Sequence, residues 1–343
     1  MTSLASPLLD TPLPLSTENA IIDCCWGQTP SLNQHNDLRA FWTFYTKECE
    51  NALHDGGRHT AVRTHRDILD IVKLLKDDMP RDEIQRSLRS KLSKAYQNED
   101  ELLGSSIDLA ARLLLMVDFG NLPYGFSGRR QLHWDQGCLR DYLESYFRAP
   151  PALGHERVKL ERVFNARNLG RMAGVEIVPT DNLVDHMRLT DDDTKVYIFN
   201  HASFLKLQSK NTILPGGLVD ETLRTLALLF PQSDPLTRKW LRQLPPPFLI
   251  DPQLIQCGHL KTDDRQIERF TFWHDRIVTL KQVFDEATPR TISQWWYDRR
   301  NGVQWYTFWV AILVLSLTLF FGLIQCIEGA MQVYGTFHPA KGG

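Results

Sequence analysis

A mainly α-helical protein with a small two-stranded β element and one C-terminal transmembrane helix is the fold class this sequence predicts. Three observations carry the prediction. Apolar residues recur at three- and four-residue spacing through most of the chain. Only two short stretches, Val175–Val178 and Val196–Phe199, read as strands. Finally, Val303–Ile327 is a run of twenty-five residues without one charged side chain. At about 1.5 Å per residue it reaches roughly 37 Å, enough to cross a hydrocarbon core of about 30 Å with some tilt.

Residues 1–31 are rich in Pro, Ser and Thr and hold no sustained period, so they read as a flexible N-terminal arm. The opening MTSLASPLLDTPLPLSTENA has neither a basic n-region nor an uninterrupted apolar h-region and does not read as a signal peptide, which leaves insertion to the C-terminal run. Residues 32–150 read as a helical domain. In DLRAFWTFYTKECENAL, the residues Leu38, Phe41, Phe44, Tyr45, Cys49 and Leu53 fall on one face, and HDGGRH ends that helix. Ile68, Ile71, Val72, Leu75 and Met79 define a second helix; Pro80 opens a third through Ile84, Leu88, Leu92 and Tyr96, and the two read as an antiparallel pair. Leu102–Val117 is interrupted by Asp108 and Arg112 and therefore reads as a buried core helix instead of a span. FGNLPYGFSGRR follows as a loop, and a shorter helix around CLRDYLESYF ends at APPALG.

Residues 151–289 read as an α-rich region holding the β element. The two strands are separated by DNLVDHMRLTDDDT, in which Asp181 or Asn182 suits the cap of a brief helix, and HASFLKLQ resumes helical spacing. A helix pair followed by two short strands matches a winged-helix-like module in pattern. Leu218–Phe230 forms another helix and the prolines at 245–247 a stiff break. Ile267, Phe270, His274, Ile277, Leu280 and Phe284 then form one stripe, read as a single long helix leading toward the membrane. Residues 290–302 are juxtamembrane, 303–327 the transmembrane helix and 328–343 a short C-terminal tail.

The flanks of the span carry the anchoring residues. Trp305, Tyr306 and Trp309, preceded by Trp295, Trp296 and Tyr297, crowd one end and Tyr334 marks the other, as amphipathic rings do at the two headgroup levels; Phe320 and Phe321 complete the membrane anchor. Arg290, Arg299 and Arg300 stand before the span, against Glu328 and Lys341 after it, which places the large N-terminal part in the cytosol. Glu328 and Gln325 lie where a carboxylate reaches interfacial water, so Glu328 reads as a boundary marker; an intramembrane site for a partner helix or ion is the alternative. Gly322, Cys326 and Ala330 follow a small-xxx-small spacing that lets a second helix approach, giving a route to oligomerisation. The length of the span suits the endoplasmic reticulum or another endomembrane, with the mitochondrial outer membrane as the alternative.

Composition excludes several classes. A formal net charge of −2 gives no reason to expect nucleic-acid binding. The six cysteines, at 24, 25, 49, 138, 257 and 326, form neither a disulfide framework nor a Cys-x-x-Cys pair, and the chain has no Asn-x-Ser/Thr acceptor, both consistent with a reducing compartment. No cofactor or metal is expected. His54, His59 and His65 are spaced by five and six and share no helix face, Cys257 and His259 lack a second pair, and Asp191–Asp193 has Lys195 where a last carboxylate belongs. Gly120, Gly125 and Gly128 lack the Gly-Lys-Ser/Thr of a phosphate loop, although Arg129 and Arg130 can meet an anion or a partner carboxylate. From Arg58 to Lys94 ten basic residues stand against six acids, a solvated face that can also turn toward an anionic bilayer.

The segments VEIVPTDNLVDHMRLTDDDTKVYIFNHASFL and ILPGGLVDETLRTLALLFP and the tail from Ser293 to Tyr334 resemble a fungal group of single-span membrane proteins with a helical cytosolic region. The group carries no assigned activity, so the resemblance implies a source and a topology; some such proteins resemble accessory members of secondary-metabolite gene clusters. The tail also resembles the membrane end of CorA-like cation channels, but the second span and the Gly-Met-Asn signature of that family are missing, and GAMQVYG does not replace them. Three readings follow. The leading one is a tail-anchored, non-enzymatic protein whose cytosolic helical domain binds protein partners. A membrane-associated enzyme or accessory factor, recognisable by a deep polar pocket at His186, Asp191–Asp193 or His201, comes second, and a CorA-like channel subunit third. The catalytic residues are unknown on every reading.

Overall fold

The computed structural model describes residues 3–10, 12–28, 37–92, 97–120, 130–154, 158–209, 211–244, 251–289, 291–297 and 302–337. The chain is mainly helical, with a small three-stranded sheet and one long apolar helix near its C-terminal end. It divides into two compact units, Met1–Gly170 with Gly174–Glu286, and Arg171–Ala173 with Ala287–Gly343. The regions on either side of residue 150 thus share one unit.

The core of the first unit is built around α5 (Glu99–Leu115), whose positions from Leu102 to Leu115 are nearly all buried. Around it lie α2 (Arg39–Leu53), α3 (His65–Lys76) and α4 (Arg81–Arg89). Two charges sit in this helix because each finds a partner. Arg112 donates to Glu48 Oε2 at 3.0 Å and to the Phe119 carbonyl at 2.8 Å, and Asp108 pairs with Arg81 at 2.6 Å. α3 opens with a reciprocal capping box between Thr64 and Asp67, which satisfies two otherwise free backbone donors. In the third helix of the sequence reading, Tyr96 lies outside the described residues.

The arm expected over residues 1–31 is overturned for its central part. Leu15–Trp26 forms α1, with Ile21, Ile22, Cys25 and Trp26 buried. Trp26 sets its edge against Phe41 and Phe204 at 5.7 and 5.8 Å between ring centroids. Lys76 donates to the carbonyls of Cys24 and Cys25, and Gly27 closes the helix in the left-handed conformation. The stabilising partners are thus remote in sequence, and local periodicity does not report them.

Two strands were expected and three form. β1 (Glu176–Thr180) pairs in parallel with β3 (Lys195–Phe199), and β2 (Arg188–Thr190) pairs antiparallel with β3, in the order β1-β3-β2. The parallel pairing departs from the winged-helix-like pattern. Asn182 does cap a brief turn, Leu183–Asp185, by accepting from the Val184 amide. Asp191, Asp192 and Asp193 all take positive φ, between 51° and 63°, in the turn that joins β2 to β3. Short polar side chains tolerate that region better than most.

α6 (Leu139–Phe147), α7 (Ala202–Gln208), α8 (Leu218–Leu229), α9 (Pro235–Arg242) and α10 (His274–Glu286) also belong to this unit, together with shorter helical turns. The long helix expected from Ile267 is broken before His274. Glu221, on α8, accepts from the amides of Thr271 and Trp273 and from the Thr271 hydroxyl, so those amides are held outside a helical ladder. The second unit contains α11 (Ile292–Tyr297) and α12 (Gly302–Phe337). Because α12 continues through Phe337, the first ten residues of the expected tail are helical.

Candidate functional site

Residues Gly302–Tyr334 of α12 form a thirty-three-residue stretch long and apolar enough to cross a membrane, with none of its most apolar part buried within the protein. At about 1.5 Å per residue the stretch extends roughly 50 Å, more than the hydrocarbon core of about 30 Å. The helix satisfies its own hydroxyls. Thr307, Ser316 and Thr318 donate to the carbonyls of Val303, Ile312 and Val314, each four residues earlier. No hydroxyl in the apolar body therefore demands a partner.

The residues read as an anchor distribute along this helix. Tyr306, Phe320, Phe321 and Tyr334 are exposed, and Trp305 and Trp309 are half-buried. Gly322, Cys326 and Ala330 follow at four-residue intervals on one face. Arg290, Arg299 and Arg300 lie outside the described residues. Glu328 stands within the helix, nine residues before Phe337.

At the beginning of α12 the aromatic rings form a cluster that sequence composition suggests but whose contacts it does not give. Trp295 stacks on Phe308 with centroids 4.4 Å apart and planes 8° apart, and Trp296 meets Trp309 edge-on at 5.0 Å. Trp309 also touches Trp305 and Phe308 at 6.1 and 5.4 Å. α11 is thereby held beside the first two turns of α12. The signal in the sequence was the pair of aromatic groups about thirteen residues apart.

The polar residues weighed for chemistry are used elsewhere. His54, His59 and His65 diverge: His54 meets the Asn51 carbonyl, His59 meets Asp55 and Glu101, and His65 meets the Tyr45 hydroxyl at 2.9 Å. Cys257 donates to the Gln253 carbonyl, and burial pushes its thiol up to about 12, away from the thiolate a metal needs. Asp191 pairs with Lys195 at 2.8 Å, so the residue that spoiled the carboxylate pattern takes up one of its three carboxylates. Gly120 takes φ +68° against Asp108, while Gly125, Gly128 and Arg129 lie outside the described residues. The Arg130 amide donates to the Asp185 carboxylate. Of the basic residues between Arg58 and Lys94, Arg81, Arg86, Arg89 and Lys91 are paired with carboxylates.

His186 and His201, the candidates for a catalytic pocket, are enclosed. His186 is fully buried; its Nδ1 accepts from the Phe199 amide at 3.1 Å and its Nε2 meets Thr225 Oγ1 at 2.6 Å. Burial, with the nearby Arg276 cation, pushes its pKa down to about 3, so the ring stays neutral at physiological pH. His201 is engaged through Nε2 with Asp181 at 2.8 Å. Ser203, two residues on, donates its hydroxyl and its amide to Asp251. The serine and the histidine thus hold different carboxylates and do not form a nucleophile and base pair. Burial raises the Asp251 carboxyl, opposed by the Ser203 bonds. A cavity of about 220 Å³ near Ser203 is lined by Lys206, Gln253 and Asp37, and these bond among themselves: Lys206 to Gln253, and Gln253 to Asp37.

Comparison of the chain with protein-family models, with curated proteins and with solved structures gave no match.

Proposed function

We propose that this chain is a single-span membrane-anchored protein, held by Gly302–Tyr334, whose helical first unit faces the cytosol and binds protein partners there without catalysing a reaction. The observation that carries the reading is α12: a largely apolar stretch of thirty-three residues whose most apolar part is not buried against the rest of the chain. A core helix of that composition would be covered by protein, and an uncovered one in water would leave large residues such as Leu315, Leu319 and Phe320, each more than half exposed, without an apolar environment. Lipid supplies that environment. The excess of arginine before the span supports an inward N-terminal unit. The enclosure of His186 and the separate engagement of His201 and Ser203 support a non-enzymatic role. Span length supports the endoplasmic reticulum or a later endomembrane.

The test appends an Asn-Gly-Thr acceptor after Gly343 and follows the expressed protein through alkaline carbonate extraction and Endoglycosidase H digestion. Retention in the pellet together with a digestible mobility shift is expected. Release into the carbonate supernatant would refute insertion. Retention without a shift, against a working positive control, would refute the proposed orientation in that membrane.

A further inference from the structure

The short helix α11, lying beside the start of the span, has a job that anchoring by α12 alone does not require. We propose that α11 is an interfacial lipid-binding element, a tryptophan-bearing foot that lies at headgroup depth beside the span and fixes how deeply the span sits. This rests on the reading of α12 as a membrane anchor. Three observations lead to it. The first is depth. From Trp309 to Glu328 there are nineteen residues, about 28 Å along a helix, which matches a hydrocarbon core of about 30 Å. With the Glu328 carboxylate at the far interface, Trp309 stands at the near one. Ring contact then fixes the level of α11, because Trp296 touches Trp309 and Trp295 lies flat on Phe308.

The second observation is what α11 leaves uncovered. Ile292 is 70% exposed and Trp296 55%, on a six-residue helix whose sequence, ISQWWY, carries no charge. The face is continuous with the lipid-facing surface of α12 through the stacked rings, so the same apolar medium covers both. The third is chemical. Indole combines a large apolar body with one N–H donor, the combination that places tryptophan between acyl chains and water. Arg290, Arg299 and Arg300 bracket the helix in sequence, as cations do at the cytosolic headgroups. The occupant is thus the glycerol and upper acyl region of the bilayer, and no specific headgroup is required.

The test uses the full chain reconstituted in phosphatidylcholine vesicles, with lipids brominated either near the headgroup or near the bilayer centre as quenchers. The fluorescence lost on making Trp295→Phe/Trp296→Phe is obtained by difference from the unaltered chain. That difference emission should be blue-shifted relative to water-exposed indole and quenched at least twofold more by the shallow bromines than by the deep ones. Equal or stronger quenching by the deep bromines would overturn the interfacial placement, and so would quenching by aqueous acrylamide with no effect of either lipid. Carbonate extraction of the same vesicles separates the two claims. A chain that resists extraction while its α11 indoles stand in water leaves the anchor intact and removes the foot, whereas an extractable chain removes both. The single variant Trp296→Phe, which keeps the Trp295 stack, provides the same readout should the double variant fail to fold.

Discussion

Acidification from pH 7.5 to 5 should weaken the first unit by about 2 kcal/mol through His186 alone. Its ring is fully enclosed, with Nδ1 accepting the Phe199 amide. Thr225 Oγ1 donates to the Thr222 carbonyl at 2.6 Å and so accepts from Nε2–H, which fixes the neutral tautomer. A second proton would have to sit on Nδ1, facing the amide hydrogen of Phe199. Burial and then the Arg276 charge lower the folded-state pKa from 6.5 to about 3. The folded state therefore resists a proton that the unfolded chain accepts. Stability is fully present above pH 6.5 and falls by about 1.4 kcal/mol per pH unit between 6.5 and 3. At pH 5, one and a half units below 6.5, the loss is about 2 kcal/mol. The assay is urea unfolding of the full chain in detergent micelles, followed by tryptophan emission at pH 7.5, 6.5 and 5, for the wild type and for His186→Gln. The glutamine variant starts less stable, but its pH profile should be flatter by that amount. His65, also lowered by burial, contributes to both profiles and cancels in the difference. Parallel profiles would refute the assignment of a neutral, proton-resisting His186.

Three further outcomes follow from buried contacts of the same unit, each read as the shift of the urea midpoint multiplied by the slope. Arg112→Met leaves Glu48, only 6% exposed, without its partner, and should cost about 3–5 kcal/mol, part of which Glu48→Gln in the same chain restores. Gly120→Ala places a Cβ 2.3 Å from Asp108 Oδ2 on a backbone at φ +68°; the left-handed conformation alone costs about 1–2 kcal/mol, and movement of Asp108 away from Arg81 adds to it. Trp26→Ala should cost about 3–5 kcal/mol, whereas a residue in a flexible arm would change stability by less than about 0.5 kcal/mol.

Legibility in the sequence depended on how local the stabilising contacts are. α5 and α12 are long, and their apolar content exceeds anything a loop sustains, so both were readable, including the distinction that Asp108 and Arg112 bar α5 from a bilayer. α1 was not, because its twelve residues are interrupted by polar ones and its partners Phe41, Lys76 and Phe204 come from three distant places. The same cause displaced the start of α10, where Glu221, some fifty residues earlier, takes the amides a longer helix would have used. β2 escaped because a three-residue strand carries too little pattern; its pairing register with β3 depends on the aspartate turn between them. At the anchor, the aromatic residues were legible as composition. The side-by-side placement of α11 and α12 was not, since ring stacking between Trp295 and Phe308 has no one-dimensional signature.

Several of the buried polar groups among the described residues are engaged by the fold itself, and that bears on the proposed partner-binding role. In the apolar body of α12, Ser316 and Thr318 return their protons to their own helix, so the span offers a neighbouring helix mostly surface shape, through Gly322, Cys326 and Ala330. In the first unit, Arg112, His186 and Asp251 are each bound by two or more groups of the fold. Such groups specify the core and present nothing outward. On the proposed reading, recognition by the first unit falls to exposed side chains on its helices, where pairs such as Arg86 with Asp82 are solvated and individually weak.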